Sequence, residues 1–208
     1  MRGLLILVAA PALLTSAPVE RATALHGPPT VSERLVRAAE RHLGKPHVLG
    51  GRDARQGCRR HSQPVRCAAG VDCQALVFLA YEEVCGRPWS SFAVKPSRSA
   101  ADFELGEPVP SLVGTLRRDV KPAHLRPGDV IYFLRAGHNL NRDRPMMVRG
   151  GVRYGTWHTG MLHSTVGGEA MVIHAKPAAR VVIEPLAHID YDALYVLRWP
   201  DPATCAAP

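Results

Sequence analysis

Cysteine, aspartate and histidine are the residue types in this chain whose order suggests covalent chemistry. Asp72 stands directly before Cys73, and Leu76, Val77 and Ala80, with Phe78 and Tyr81, follow at helical spacing. An aspartate before such a run is a good N-cap, so Cys73 falls in the first turn of a helix. Unpaired N–H groups and the dipole at a helix start favour an anion. A thiol placed there can have its pKa lowered from ~8.5 to roughly 3.5–7.5. Cys73 is thus a candidate thiolate nucleophile. On this segment alone, the competing reading is a buried or disulfide-bonded cysteine.

A thiol nucleophile needs a base to take and return its proton, and a third group to hold that base. Histidine suits the role because it titrates near neutral pH. The chain has 10 histidines, so one alone carries little weight. His158 and His174 stand out because they flank Gly167-Gly168 on two apolar, strand-like runs. A hairpin centred on Val166 sets His158 directly opposite His174, with Cβ atoms ~4.5–5.5 Å apart. A two-residue Gly167-Gly168 turn instead sets Met161 opposite His174 and brings His163 onto the His174 face. A one-residue slip exchanges the two outcomes, and spacing leaves both open.

Cysteine number bears on the same question. The five are Cys58, Cys67, Cys73, Cys85 and Cys205. Arg2 followed by the apolar run Leu4–Leu14, and Ala22-Thr23-Ala24 as a cleavage pattern, read as a signal peptide over residues 1–24. Export to a secreted or periplasmic location implies an oxidising compartment, where an odd cysteine is left over. With Cys73 as that thiol, the favoured pairing of the remaining four is Cys58–Cys67 and Cys85–Cys205. No other run is long enough to span a bilayer.

The elements that must position these groups can be read in order. Thr30-Val31-Ser32-Glu33 is a capping-box pattern, followed by Leu35, Val36, Ala39 and Leu43 at helical spacing and by Gly44 as a stop. Residues 52–70 form a loop. The Cys73 helix runs to about Cys85. Residues 89–125 read as irregular, with a short helix from Ser99 to Leu105. Pro127-Gly128-Asp129 is a turn into the strand Val130–Leu134, and residues 135–156 read as a long polar loop. His158–Leu162, Ala170–Ala175, Arg180–Ile183 and Leu194–Trp199 complete the strands. Helices gathered before strands predict a single α+β domain over residues 25–208, with N-terminal helices on an antiparallel sheet of about five strands.

Five blocks in this order resemble the NlpC-type cysteine peptidases: Lys45-Pro46-His47-Val48-Leu49-Gly50-Gly51, Asp72-Cys73-Gln74-Ala75-Leu76-Val77, Pro127–Phe133, His158-Thr159-Gly160-Met161 and Val172-Ile173-His174-Ala175. The likeness covers roughly residues 31–199. It implies a papain-like fold and hydrolysis of amide bonds, mostly in peptidoglycan stem peptides. It also implies Cys73 as nucleophile, His158 as base and His174 as the orienting third residue. His47, Gln74 and Asp72 become candidates for contacts to the oxyanion or substrate. The chain departs from the family where His47 replaces a usual tyrosine, where Gln74-Ala75 replaces Ser-Gly, and where Val71 replaces an aromatic residue. These departures bear on substrate choice.

Two other readings remain: an inactive binding domain of the same fold, and an acyl-transfer or amidase enzyme acting on a non-wall substrate. No cofactor is expected. A zinc site built from Cys58, His61, Cys67 and Cys73 lacks both Cys-x-x-Cys and His-Glu-x-x-His spacing. A formal charge of +8 suits anionic polymers or a solvated arginine-rich surface. The arginines form no stripe and no nucleic-acid motif is present, so peptidoglycan or another peptide is the expected partner.

Overall fold

The computed structural model describes residues 28–51, 59–60, 63–64, 70–93, 95–138, 144–199 and 205. The segment 1–24 expected to be a leader, and Cys58, His61 and Cys67 with the expected Cys58–Cys67 pairing, lie outside them. Helix α1 (Val31–Glu40) starts where the sequence predicts. The Thr30 hydroxyl accepts from the Glu33 N–H at 3.2 Å, and the Glu33 carboxylate accepts from the Thr30 N–H at 2.7 Å. Two-residue strands β1 (Arg59–Arg60) and β2 (Gln63–Pro64) pair with each other. Helix α2 (Cys73–Cys85) is capped by Asp72 and ends at Gly86 in the left-handed region. Leu76, Val77, Phe78, Ala80 and Tyr81 are buried, so the helix is apolar almost all round and sits between α1 and the sheet. The short helix expected from Ser99 to Leu105 forms earlier, as α3 (Pro96–Ala101), with Pro96 at its first turn.

Eight strands make the main sheet among the described residues, three more than expected. They are β3 (Glu107–Pro108), β4 (Thr115–Leu116), β5 (Val130–Ala136), β6 (Met147–Arg149), β7 (Val152–Val166), β8 (Glu169–Ala175), β9 (Val181–Pro185) and β10 (Ala193–Arg198). The order is β3-β10-β5-β7-β8-β9, with β4 beside β10 and β6 beside β7, and every pairing is antiparallel. The additional strands are two or three residues long and carry too little periodicity to announce themselves. The expected 135–156 loop is in part a hairpin, because β6 turns through Gly150-Gly151 into β7. The α+β class stands.

Strand β5 explains why Val130-Ile131-Tyr132-Phe133-Leu134 is apolar without a break. Val130, Tyr132 and Leu134 pack towards the helices, whereas Ile131 and Phe133 join Leu112, Leu125, Leu186 and Ile189 on the other face. A strand covered on both faces has no polar side to alternate with. Its entry turn is pinned. Asp129, fully buried, takes two hydrogen bonds of 2.7 Å from the Arg198 guanidinium of β10. Gly128, at φ +88°, lies against Ser32 of α1 where a Cβ would meet Ser32 Cβ at 2.7 Å.

Cys85 and Cys205 form a disulfide that ties the tail to the end of α2 across 120 residues. Closing so long a loop restricts the unfolded chain strongly. Cys205→Ser in the oxidised protein should therefore lower unfolding stability by about 2–5 kcal/mol in urea titration; an unchanged midpoint would show that the tail contributes nothing.

Candidate functional site

The described part of the candidate site begins at the start of α2. The Asp72 carboxylate accepts from the Ala75 N–H at 2.6 Å and from the Gly50 N–H at 3.1 Å. It thus caps the helix and fastens the His47–Gly51 segment beside it. Cys73 follows as a free, half-buried thiol. Its sulphur lies where the backbone N–H groups of Thr159, Gln74 and Cys73 itself can donate to it. The Thr159 amide belongs to β7, so the thiol sits against the peptide that follows His158. No hydrogen bond joins the sulphur to an imidazole among the described residues.

The electrostatics differ from the sequence expectation. Burial pushes the Cys73 thiol up to about 12, with the adjacent Asp72 charge adding to the rise. The backbone donors at the helix start act in the opposite direction and are outweighed. His158, which is fully buried, is driven down to about 3, first by burial and then by His174 and His47. Both groups therefore rest uncharged. The expected lowered thiol is corrected on physical grounds. A helix dipole is worth ~0.3–1 kcal/mol at an exposed site, less than the loss of water from a thiolate.

Strands β7 and β8 settle the histidine question by an irregularity. The turn is the two-residue Gly167-Gly168 form, with Val166 opposite Glu169, yet Leu162 pairs with Val172 and Met161 with Ile173. His163 is the extra residue, a β-bulge. The bulge reverses the faces that follow it, so the two-residue turn still brings His158 onto the face of His174, but diagonally and not directly opposite as the Val166-centred hairpin predicts. His158, not His163, shares a face with His174, and Nε2 of His158 meets Nδ1 of His174 at 2.6 Å. Their ring centroids lie 4.9 Å apart at 79°. Gly160 lies between them along β7, and a Cβ there would stand 3.1 Å from His174 Cβ and 2.9 Å from Val172 Cγ1. His163 points elsewhere, to Glu40 of α1 at 2.8 Å.

Aromatic packing holds the His158 ring. Phe133 stacks on it at 5.6 Å and Trp157 lies 5.1 Å away, itself beneath the Arg135 guanidinium at 4.1 Å. Trp157 is the second extra residue of β7, because Phe133 pairs with His158 but Leu134 with Thr156. His47 is bridged backbone-to-backbone to Val71, and its charge would disfavour charging of both His158 and His174. Gln74 is buried, and its side-chain nitrogen has no hydrogen-bond partner among the described residues.

One residue of the cluster is absent from the sequence reading. Glu184 on β9 accepts from His174 Nε2 at 2.8 Å and from Lys176 Nζ at 2.6 Å. Burial alone would raise the Glu184 carboxyl, but its bonds to Lys176 and His174 prevail and hold it below the usual carboxylate range. His174 is lowered chiefly by burial, against the pull of Glu184. The only available signal for Glu184 was register: Val182 lies opposite His174, and Glu184 is two residues further along the same face. Among the described residues no cluster of histidine, cysteine and acidic side chains has the form of a metal site, and no helix is long and apolar enough to cross a membrane.

The Asp72 charge can be separated from its cap. Asp72→Asn keeps an N-capping side chain but removes the negative charge that raises the thiol. Alkylation of Cys73 by iodoacetamide at pH 8 should become about 3–10-fold faster; an unchanged or slower rate would show that Asp72 does not act on the sulphur.

No family model matches the sequence, and no curated protein matches it. Among solved structures, the chain is similar to RipB of Mycobacterium tuberculosis, a peptidoglycan hydrolase, at 20% identity and a TM-score of 0.48. That alignment covers 81% of this chain and 64% of RipB. It is similar to the NlpC/p60 domain of the peptidoglycan hydrolase SagA at 21% identity and a TM-score of 0.45, over 80% of this chain and 97% of that domain. It is also similar to RipD of M. tuberculosis, a non-catalytic NlpC/p60 domain protein adapted to peptidoglycan binding, at 15% identity and a TM-score of 0.45, over 81% of this chain and 96% of RipD. The chain thus spans a little under two thirds of the length of RipB.

Proposed function

We infer that this protein is an exported thiol hydrolase that cleaves an amide bond, with the stem peptide of peptidoglycan as substrate. The observation that carries the reading is the buried His158–His174 hydrogen bond of 2.6 Å, on the strand whose Thr159 amide adjoins the free Cys73 thiol. The substrate class rests on the five sequence blocks. Export rests on the leader pattern of residues 1–24, and the mature domain is residues 25–208.

The uncharged resting state shapes the mechanism. His158 Nε2 is engaged by His174, so Nδ1 is the nitrogen left to accept a proton. As the sulphur attacks the substrate carbonyl carbon, its proton passes to His158 Nδ1 and the carbonyl electron pair moves onto oxygen. The first-turn N–H groups of Cys73 and Gln74 donate to that oxyanion, where the helix dipole also favours negative charge. The oxyanion then collapses and the C–N bond breaks. His158 hands its proton to the leaving amine, leaving a thioester on Cys73. Water resolves the thioester by the same steps, with His158 again taking the proton. Aromatic packing from Phe133 and Trp157 keeps the imidazole oriented throughout.

Incubating residues 25–208 and its Cys73→Ala variant with purified muropeptides tests this by mass spectrometry. New fragments from the unsubstituted protein alone are expected; cleavage by both, or by neither, contradicts the reading. The pH dependence follows from signs. Hydrolysis needs neutral His158 and a protonated thiol in the resting site. Falling pH charges His158 only near 3, and rising pH ionises Cys73 only near 12. Within the range where the circular dichroism is unchanged, kcat/KM should be flat from about pH 5 to 9. A bell with an acid limb at the usual histidine value of ~6.5 would mark a preformed thiolate–imidazolium pair instead.

A further inference from the structure

We propose that Glu184 is a positioning residue that sets which nitrogen of His158 is bare, acting through His174 from two imidazoles away. The inference rests on the hydrolase reading of Cys73 and His158. A carboxylate can only accept hydrogen bonds, so the 2.8 Å contact from Glu184 Oε1 places the hydrogen of His174 on Nε2. A neutral His174 then has a lone pair on Nδ1. That lone pair can only accept, so the 2.6 Å contact between the rings places the hydrogen of His158 on its Nε2. His158 Nδ1 is left without a hydrogen, ready to receive the proton of Cys73. Three side chains on three consecutive strands thereby fix one proton arrangement, and reversing any link would put the hydrogen of His158 on the atom that must act as base.

Lys176 secures the chain at its far end. Its ammonium lies 2.6 Å from Glu184 Oε2, so Glu184 stays ionised and keeps accepting. Glu184 is mostly covered and Lys176 is half exposed. The clamp is therefore on the outer side and the His174 contact on the inner side. The arrangement also serves the charged stage of the reaction. When His158 carries the extra proton, its Nε2–H still donates to His174, whose Nε2–H still donates to the negative charge of Glu184. The cation is stabilised with no movement of hydrogen away from the reacting nitrogen. A bare glutamate beside His158 would instead attract the cation directly. The intervening imidazole relays that pull while filling the apolar space around Val172 and Gly160.

Nitrogen-15 NMR of the histidine-labelled protein, together with steady-state kinetics on muropeptide, tests the assignment. In the unsubstituted protein both His158 and His174 should show the Nε2–H tautomer. Glu184→Gln can offer His174 either an oxygen or an N–H. It should mix the tautomers of both rings and lower kcat by about 10–100-fold while KM changes less than about twofold. Lys176→Met leaves the carboxylate in place and should keep both tautomers, with kcat falling less than in Glu184→Gln. Unsubstituted protein with hydrogen on His158 Nδ1, or a folded Glu184→Gln protein with unchanged tautomers and kcat, overturns the proposal. The tautomer reading of the unsubstituted protein needs neither a variant nor activity. Expected tautomers without hydrolysis overturn the hydrolase reading and support the proton arrangement; hydrolysis with the wrong tautomers overturns Glu184 alone.

Discussion

The hydrogen bond between His158 and His174 is the interaction on which the candidate site depends, and packing makes it possible. Two imidazoles meet at 2.6 Å only if their strands bring them to the same face at diagonal positions with nothing between. The His163 bulge supplies the face, and Gly160 supplies the space. The same packing removes water from both rings and from the thiol nearby. Charge at any of these groups is therefore disfavoured, even though a helix start faces the sulphur.

That balance separates two kinds of thiol chemistry. In an open site, a helix dipole and a nearby imidazolium stabilise a standing thiolate. Here desolvation is the larger effect, so thiol and imidazole rest neutral, and in the proposed mechanism the proton moves only when substrate arrives. The proposed mechanism then resembles general-base activation of a hydroxyl more than attack by a preformed anion. It also gives meaning to the distant ion pair. Glu184 and Lys176 lie where water can reach, so the fixed charges stand at the rim of the cluster and act inward through His174.

Much of this was legible in the sequence, for identifiable reasons. The capping signals at Thr30 and Asp72, the turn before Val130 and the apolar runs of the C-terminal half each depend on neighbours in the chain, and the structure reproduces them. The pairing of Cys85 with Cys205 follows the same logic of one unpaired thiol. The histidine register was not legible, because both turn types were sound and a single inserted residue decided between them. Glu184 lay beyond the end of the apolar run Arg180–Ile183, and only strand pairing brings it to His174. The short strands β3, β4 and β6 form because long neighbours offer them an edge, a signal held in β7 and β10 rather than in their own residues. The thiol expectation failed because position on a helix is local, whereas burial is a property of the whole fold.

Packing keeps the Cys73 thiol and the His158 imidazole uncharged at rest. Thiolate absorbance near 240 nm, taken as the difference between the folded protein and its Cys73→Ala variant, measures this directly. A neutral thiol predicts no difference from about pH 5 to pH 9, with absorbance rising only in strongly alkaline solution. A difference band already present at pH 7 would contradict the account, because it would show a thiolate that the surroundings of Cys73 stabilise rather than suppress.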